Sequence, residues 1–283
     1  MTPRLPFGAL LLALSLSALA PALAPARADE DAGAGDPLIL LSTTSTENSG
    51  LLAHLLPLFE AQSGIEVRAV AVGTGQALRA AARGDGDVLL THDRTAEERF
   101  VAEGHGTGRR DVMYNDFVLV GPAGDPAGIA ALDEAPAALA AIAARGAPFA
   151  SRGDESGTHR AEMRLWAEAS VDPLPASGTW YREMGQGMGA VLNAAVAMDA
   201  YALTDRATWA AFGNKRGHRI LLEGDPRLFN PYGVVPVDPA RHPGVNADAA
   251  EAFASWITGP AGQAAIASFE VDGQRLFVPN AGS

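Results

Sequence analysis

Between Leu38 and Leu90 the chain alternates short apolar runs with amphipathic stretches, and this alternation narrows the possible folds most. Leu38 to Leu41 is a continuous apolar run ending in Ser42-Thr43-Thr44-Ser45-Thr46, the pattern of a buried strand opening into a loop. Leu51, Leu52, Leu55, Leu56 and Phe59 then recur at helical spacing, with Ser63-Gly64 as the stop. A second strand over 66–72 ends in Gly73-Thr74-Gly75, a helix follows over 76–83, and a third strand covers 87–90. The order β-α-β-α-β predicts a parallel sheet with helices on both faces. Ligands of such sheets bind beyond the carboxyl ends of the strands. The two hydroxyl-bearing turns therefore belong to one rim.

Farther along, Phe117 to Val120 reads as an apolar strand closed by Gly121-Pro122, and 125–146 as an alanine-rich helix. Gly185-Gln186-Gly187-Met188-Gly189 leads into a helix over 190–198. Tyr201 to Thr204 is a short strand, Tyr232 to Val237 a strand between prolines, and 247–268 two helices broken at Gly259-Pro260. Trp166, Trp180 and Tyr181 read as core or cleft wall, and Arg206 as one half of an ion pair between lobes.

The 283 residues, 48% of them hydrophobic, suffice for one large domain or two modest lobes. The first 28 have the layout of a secretory signal: Arg4, an apolar stretch over 10–20 too short to span a bilayer, and the small-x-small site Ala26-Arg27-Ala28. This predicts export and a mature chain starting at Asp29. With no cysteine, neither a lipid anchor nor a disulfide is expected, which points to the periplasm. The formal net charge is -12, with Lys215 the sole lysine, and that argues against a nucleic-acid partner. An acidic chain can still hold an anion, but only in a local site built from inward-aimed donors.

Such a site is legible in Ser151-Arg152-Gly153-Asp154-Glu155-Ser156-Gly157-Thr158-His159, just ahead of an apparent helix over 161–169. Glycine lets the backbone approach a ligand closely. A helix N-terminus offers unpaired N–H groups and about half a positive charge. Arginine adds two fixed, charge-assisted bonds. The competing reading is a capped turn, since Asp154, Ser156 and Thr158 are all good N-caps. Hydroxyls at Thr43, Thr44, Ser45 and Thr74 tip the balance toward an oxyanion site, because together these donors could replace the hydration shell of a small dianion.

Several of these segments together resemble the periplasmic tungstate-binding proteins of ABC importers. The similarity runs through Ser42 to Leu52, Ala71 to Leu78, Arg109 to Phe117, Ser151 to His159 and Gly185 to Gly189. It continues through Leu203 to Arg206, Glu223 to Pro226 and Leu228 to Gly233. The resemblance implies an α/β, two-lobed type II periplasmic binding protein fold, each lobe a mostly parallel sheet flanked by helices, with two crossover strands. Lobe one would comprise 36–117 and 233–283, lobe two 118–232, with crossings near 117–120 and 232–237. It implies a solute-binding protein that captures tungstate, with molybdate as a second candidate, and delivers it to an inner-membrane ABC permease and its ATPase. Carried onto this chain, Thr43, Thr44, Ser45 and Thr74 form one ligand cradle, and Arg152, Ser156, Gly157 and Thr158 the opposing one. No catalytic residue, cofactor or free metal cation is implied, and a monomer is expected.

Three rivals stand beside this reading. The Arg152 to Thr158 order is also similar to the anion loop of phosphate-binding proteins. An Asp154 facing the ligand would accept the proton of hydrogen phosphate, whereas an Asp154 turned to Arg152 or a backbone N–H would be structural. A secreted hydrolase would use Ser156 with His159, although no Gly-x-Ser-x-Gly elbow surrounds Ser156. A sensor subunit presenting its bound anion to a signalling partner would look the same in sequence. The six histidines show no metal-binding spacing; His92 and His159 could approach the cleft, with a surface or supporting place as the competing reading.

Overall fold

The computed structural model describes residues 36–271 and 273–282, so the expected signal segment lies outside the described residues. In chain order the elements of the first half are β1 (Leu38–Thr43), α1 (Thr44–Asn48), α2 (Leu51–Ser63), β2 (Val67–Val72), α3 (Thr74–Arg83), β3 (Val88–Thr91), α4 (Arg94–Ala102) and β4 (Arg110–Pro122). Then come α5 (Ala135–Arg145), β5 (Phe149–Ser151), α6 (Gly157–Glu168), β6 (Tyr181–Glu183), α7 (Met188–Ala197), β7 (Ala202–Asp205), α8 (Arg206–Ala211), β8 (His218–Leu222), β9 (Phe229–Pro236), α9 (Ala247–Thr258) and α10 (Pro260–Ser268).

Two sheets share one strand. In the first, β1 pairs in parallel with both β2 and β3, and β9 joins antiparallel to β3 and to the first half of β4. In the second, β5 pairs in parallel with β6, and Phe149 bridges in parallel to Tyr201 just ahead of β7. There β7 and β8 lie antiparallel to the second half of β4. Each sheet thus has a parallel centre extended by antiparallel strands. Strand β4 pairs with β9 up to Asp116 and with β7 from Phe117, so the chain passes between sheets at that peptide. Its return is complete by Phe229, because Asn230 and Tyr232 already pair with Asn115 and Met113. The sequence reading set that return slightly later, at 232–237.

Strand alternation explains why each sheet is covered on both faces. Leu40 packs with Leu51, Phe59 and Phe253 on one side of the first sheet, while Leu41 packs with Ala77, Leu78 and Phe100 on the other. In the second sheet Leu119 faces Phe149, Trp166, Tyr181 and Tyr201, whereas Val118 and Val120 face Met188, Val191 and Leu192. Among the described residues no helix is long and apolar enough to cross a membrane.

Two local expectations need correction. The stretch 125–146 is not one helix: Asp125 and Gly128 have positive φ (42° and 71°), and the Asp125 carboxylate accepts from the Ile129 and Ala130 N–H groups. That closes a turn, and the α-helix begins only at Ala135, with Pro136 in its first turn. The segment 44–48, expected as loop, winds into a short helix because the Thr43 side chain accepts from Thr46 N and caps it.

Candidate functional site

The carboxyl end of each strand in the two parallel centres delivers a polar segment to the space between the sheets. β1 runs into Thr43, Thr44 and Ser45; β2 is followed by Gly73 and Thr74; β3 is followed by His92. From the second sheet β5 delivers Arg152 and the start of α6, and β6 leads to Gly187 at the start of α7. Thr74 is the first residue of α3, capped by the backbone of Gly73, and Ser156 caps α6 by accepting from His159 N at 3.2 Å.

The two halves touch. Gly157 N donates to Thr74 Oγ1 at 3.0 Å, and Arg152 Nη2 lies 3.4 Å from Thr44 Oγ1. A Cβ on Gly187 would lie 3.6 Å from Thr44 Oγ1, so the start of α7 borders the same spot. The sequence-selected residues Thr43, Thr44, Ser45, Thr74, Arg152, Ser156, Gly157 and Thr158 are thus brought to one locus. All but half-buried Thr44 are buried, Arg152 with 2% of its surface left. Thr158 Oγ1 is buried without a hydrogen-bond partner in the described structure, as is His159 Nε2. An orphaned hydroxyl costs stability unless something later satisfies it.

Asp154 is turned inward. Its Oδ2 receives Arg152 Nε at 3.1 Å and Nη2 at 2.5 Å, and its Oδ1 accepts from Ser156 N at 3.1 Å. Both oxygens are therefore engaged, and the carboxylate braces the guanidinium and the loop.

His92 reaches the same locus, which motif reasoning underweighted. It is fully buried, its Nδ1 is 2.9 Å from Asn230 Oδ1 and its Nε2 is 3.0 Å from Ser45 Oγ. Its ring stacks on Tyr232 at 4.9 Å between centroids. Burial pushes its pKa below the ordinary imidazole value, against the opposing pull of Asp205. The underweighted signal was positional: His92 follows a parallel strand, as Ser42–Thr46 and Gly73–Thr74 do. Arg206 pairs with Asp116 and Glu223 outside the cradle, consistent with the ion-pair reading. A surface cleft of about 450 Å³ between α4 and α6, lined by Arg99, Arg160, Arg164 and Asp93, lies apart from these donors.

Two α/β halves joined through a shared strand, with hydrogen-bond donors converging between them, define a two-lobed solute-binding protein of the type II periplasmic class. A family model described as the PBP superfamily domain matches residues 21–261. The tungstate-binding protein TupA of Peptoclostridium acidaminophilum is 45% identical over 278 residues, 96% of each chain. The solved structure titled as the tungstate ABC transporter from Geobacter sulfurreducens is 49% identical, with a TM-score of 0.75 over 83% of this chain and 100% of that one. That of TupA from Desulfovibrio alaskensis G20 is 46% identical, with a TM-score of 0.72 over 87% and 99% of the two chains. The chain belongs to the PBP superfamily and, within it, to the family of the tungstate-binding proteins.

Proposed function

We propose that this protein captures tungstate, and molybdate as a second ligand, between its two lobes and hands it to an ABC permease powered by its ATPase. The carrying observation is the meeting of Arg152 and the α6 start with Thr44 and Thr74 across the two sheets. The starts of α3, α6 and α7, at Thr74, Gly157 and Met188, border this locus beside that of the short α1, each adding partial positive charge at no cost in net charge. The ligand residues in this reading are Thr43, Thr44, Ser45, Thr74, Arg152, Ser156, Gly157 and Thr158. They donate to the oxygen atoms of the anion and contribute no ligand to the metal atom. Orphaned Thr158 Oγ1 gains its missing partner when the anion enters.

The state of Asp154 favours an acceptor-only anion over hydrogen phosphate. Asp154 Oδ2 takes two bonds from Arg152 and Oδ1 one from Ser156 N, which supports a bracing role for this carboxylate over capture of a ligand proton. The names of the relatives support the same choice. Lobe one is taken as 36–117 with 233–283 and lobe two as 118–232, closing by a hinge at the crossings. The protein acts as a monomer in the periplasm after loss of residues 1–28 and performs no reaction on its ligand. Isothermal titration with tungstate, molybdate and phosphate at one pH tests the reading. Tight tungstate binding that phosphate does not displace is expected; preference for phosphate would reverse the assignment.

A further inference from the structure

A dianion without a proton only accepts hydrogen bonds, so each hydroxyl that holds it must turn its single proton toward it. Followed from Asn230 outward, the hydrogen-bond partners assign those protons the other way. Asn230 Nδ2 donates to Asn115 Oδ1 at 2.7 Å, which leaves Asn230 Oδ1 to accept from His92 Nδ1–H. The Nε2 atom of the neutral ring is then bare and accepts the Ser45 hydroxyl proton. With that proton committed, the Thr43 hydroxyl, 3.0 Å away, donates to Ser45 Oγ. Thr46, at 2.7 Å, in turn donates to Thr43 Oγ1. The chain Thr46, Thr43, Ser45, His92 points away from a ligand at every link.

Building on the oxyanion reading, we propose that His92 is a positioning residue of the site: on anion binding it takes one proton from solvent at Nε2, donates to Ser45, and so frees the Ser45 and Thr43 protons for the anion. Nδ1–H stays on Asn230, and no covalent bond changes apart from the new N–H. The ring cannot simply turn aside. Tyr232 stacks against it, Phe117 lies 6.2 Å away, and its Cε1 is 3.1 Å from where a Cβ on Gly157 would sit. The charged groups that face it are Asp205, Asp93 and Arg152. Asp205 is fully buried and its Oδ2 has no hydrogen-bond partner in the described structure; burial raises its pKa and attraction to His92 lowers it, so a protonated His92 and an ionised Asp205 favour each other. The anion supplies another. Asn115 and Asn230 are opposite one another on β4 and β9, next to the peptide where β4 changes sheets, so the ring is anchored on the crossing strands.

The test is calorimetric titration of sodium tungstate into the full chain, in two buffers of different ionisation enthalpy, at pH 6, 7 and 8. Uptake of close to one proton per anion is expected at pH 7 and 8, with affinity falling by up to about tenfold per pH unit. His92→Gln places a standing amide donor near the Nε2 position, so it should bind tungstate with neither proton uptake nor pH slope. Glu162→Gln and His159→Asn should keep both. In wild-type protein with 15N-labelled histidine, tungstate should move the His92 Nε2 resonance from the bare to the protonated range, a readout that does not depend on any variant folding. Tungstate binding without proton uptake, or a His92→Gln variant that keeps the wild-type slope, would overturn this proposal alone. Absence of tungstate binding to wild type would overturn it together with the functional reading.

Discussion

Gly157 N and Thr74 Oγ1 are 3.0 Å apart, although 83 positions separate them and they begin helices flanking different sheets. The bond joins the two halves at the locus where the anion donors converge. In the proposed function, whatever holds or breaks this contact acts on closure and on affinity at once.

Gly157→Ala tests that link. A Cβ at this position would lie 3.1 Å from both Thr74 Oγ1 and His92 Cε1, tighter than ordinary contact. Neither neighbour can retreat easily, since both are buried. Tungstate affinity should drop by about tenfold or more while the melting temperature changes little, because each half keeps its own core. Titration calorimetry and a thermal melt of the same variant read the two effects separately.

Arg152→Ala removes the guanidinium that reaches Thr44 and leaves Asp154 without its cation. Truncating one partner of a buried charge pair costs about 2–5 kcal/mol, and an unpaired carboxylate also repels the dianion. Tungstate affinity should fall by about two to three orders of magnitude with the circular dichroism spectrum unchanged. Arg152→Lys should lie between the two, since the charge remains but the fork does not. Adding Asp154→Asn to Arg152→Ala should recover part of the loss.

Glu162 governs how stability depends on pH. It is buried on α6 with no ion-pair partner among the described residues, accepting from Tyr181 Oη at 2.8 Å and Trp166 Nε1 at 3.1 Å. Burial pushes its pKa up to about 7 from the ordinary 4.5. The folded state therefore holds this proton more tightly than the unfolded chain. The associated stability is fully present below about pH 4.5 and is lost as pH rises through 7. The melting temperature should fall between pH 5 and 8, and Glu162→Gln should flatten that slope.

Arg109 and Glu97 form the most enclosed ion pair among the described residues, 2.7 Å apart with side chains 7% and 0% exposed. Glu97 also accepts from Thr91 and Asp93 N, and Gly233 makes room for the pair, since a Cβ there would lie 2.6 Å from Glu97 Oε2. Arg109→Met should destabilise the fold by about 3–5 kcal/mol at pH 8, because it strands a buried carboxylate. Burial already raises the Glu97 pKa, and without Arg109 it would rise further. The stability that protonation then supplies is lost as pH rises through the raised pKa. Urea denaturation should therefore show a smaller defect at pH 5 than at pH 8.

Much of the cradle was legible because strand ends announce themselves locally. The apolar run 38–41 followed by hydroxyls, the Gly73-Thr74-Gly75 turn and the Arg152 to Thr158 loop each carry their chemistry within a few residues. His92 was noted as able to approach the cleft but given little weight, because a lone histidine has no local signature; its partners Ser45 and Asn230 are 47 and 138 positions away. Asp125 and Gly128 misled because alanine-rich periodicity hides a turn that one side chain closes by capping two N–H groups.

The sequence by itself determined the α/β alternation, the rim on which the polar turns lie, the family resemblance and the donor types suited to an oxyanion. Those follow from side-chain periodicity and backbone preference, which act over a few residues. Tertiary structure alone decided that Asp154 faces Arg152, that β4 serves both sheets with its switch at Asp116–Phe117, and that His92 lies within hydrogen-bond distance of Ser45. Hydrogen-bond direction depends on which distant partner claims each proton, and only the packed fold brings those partners together.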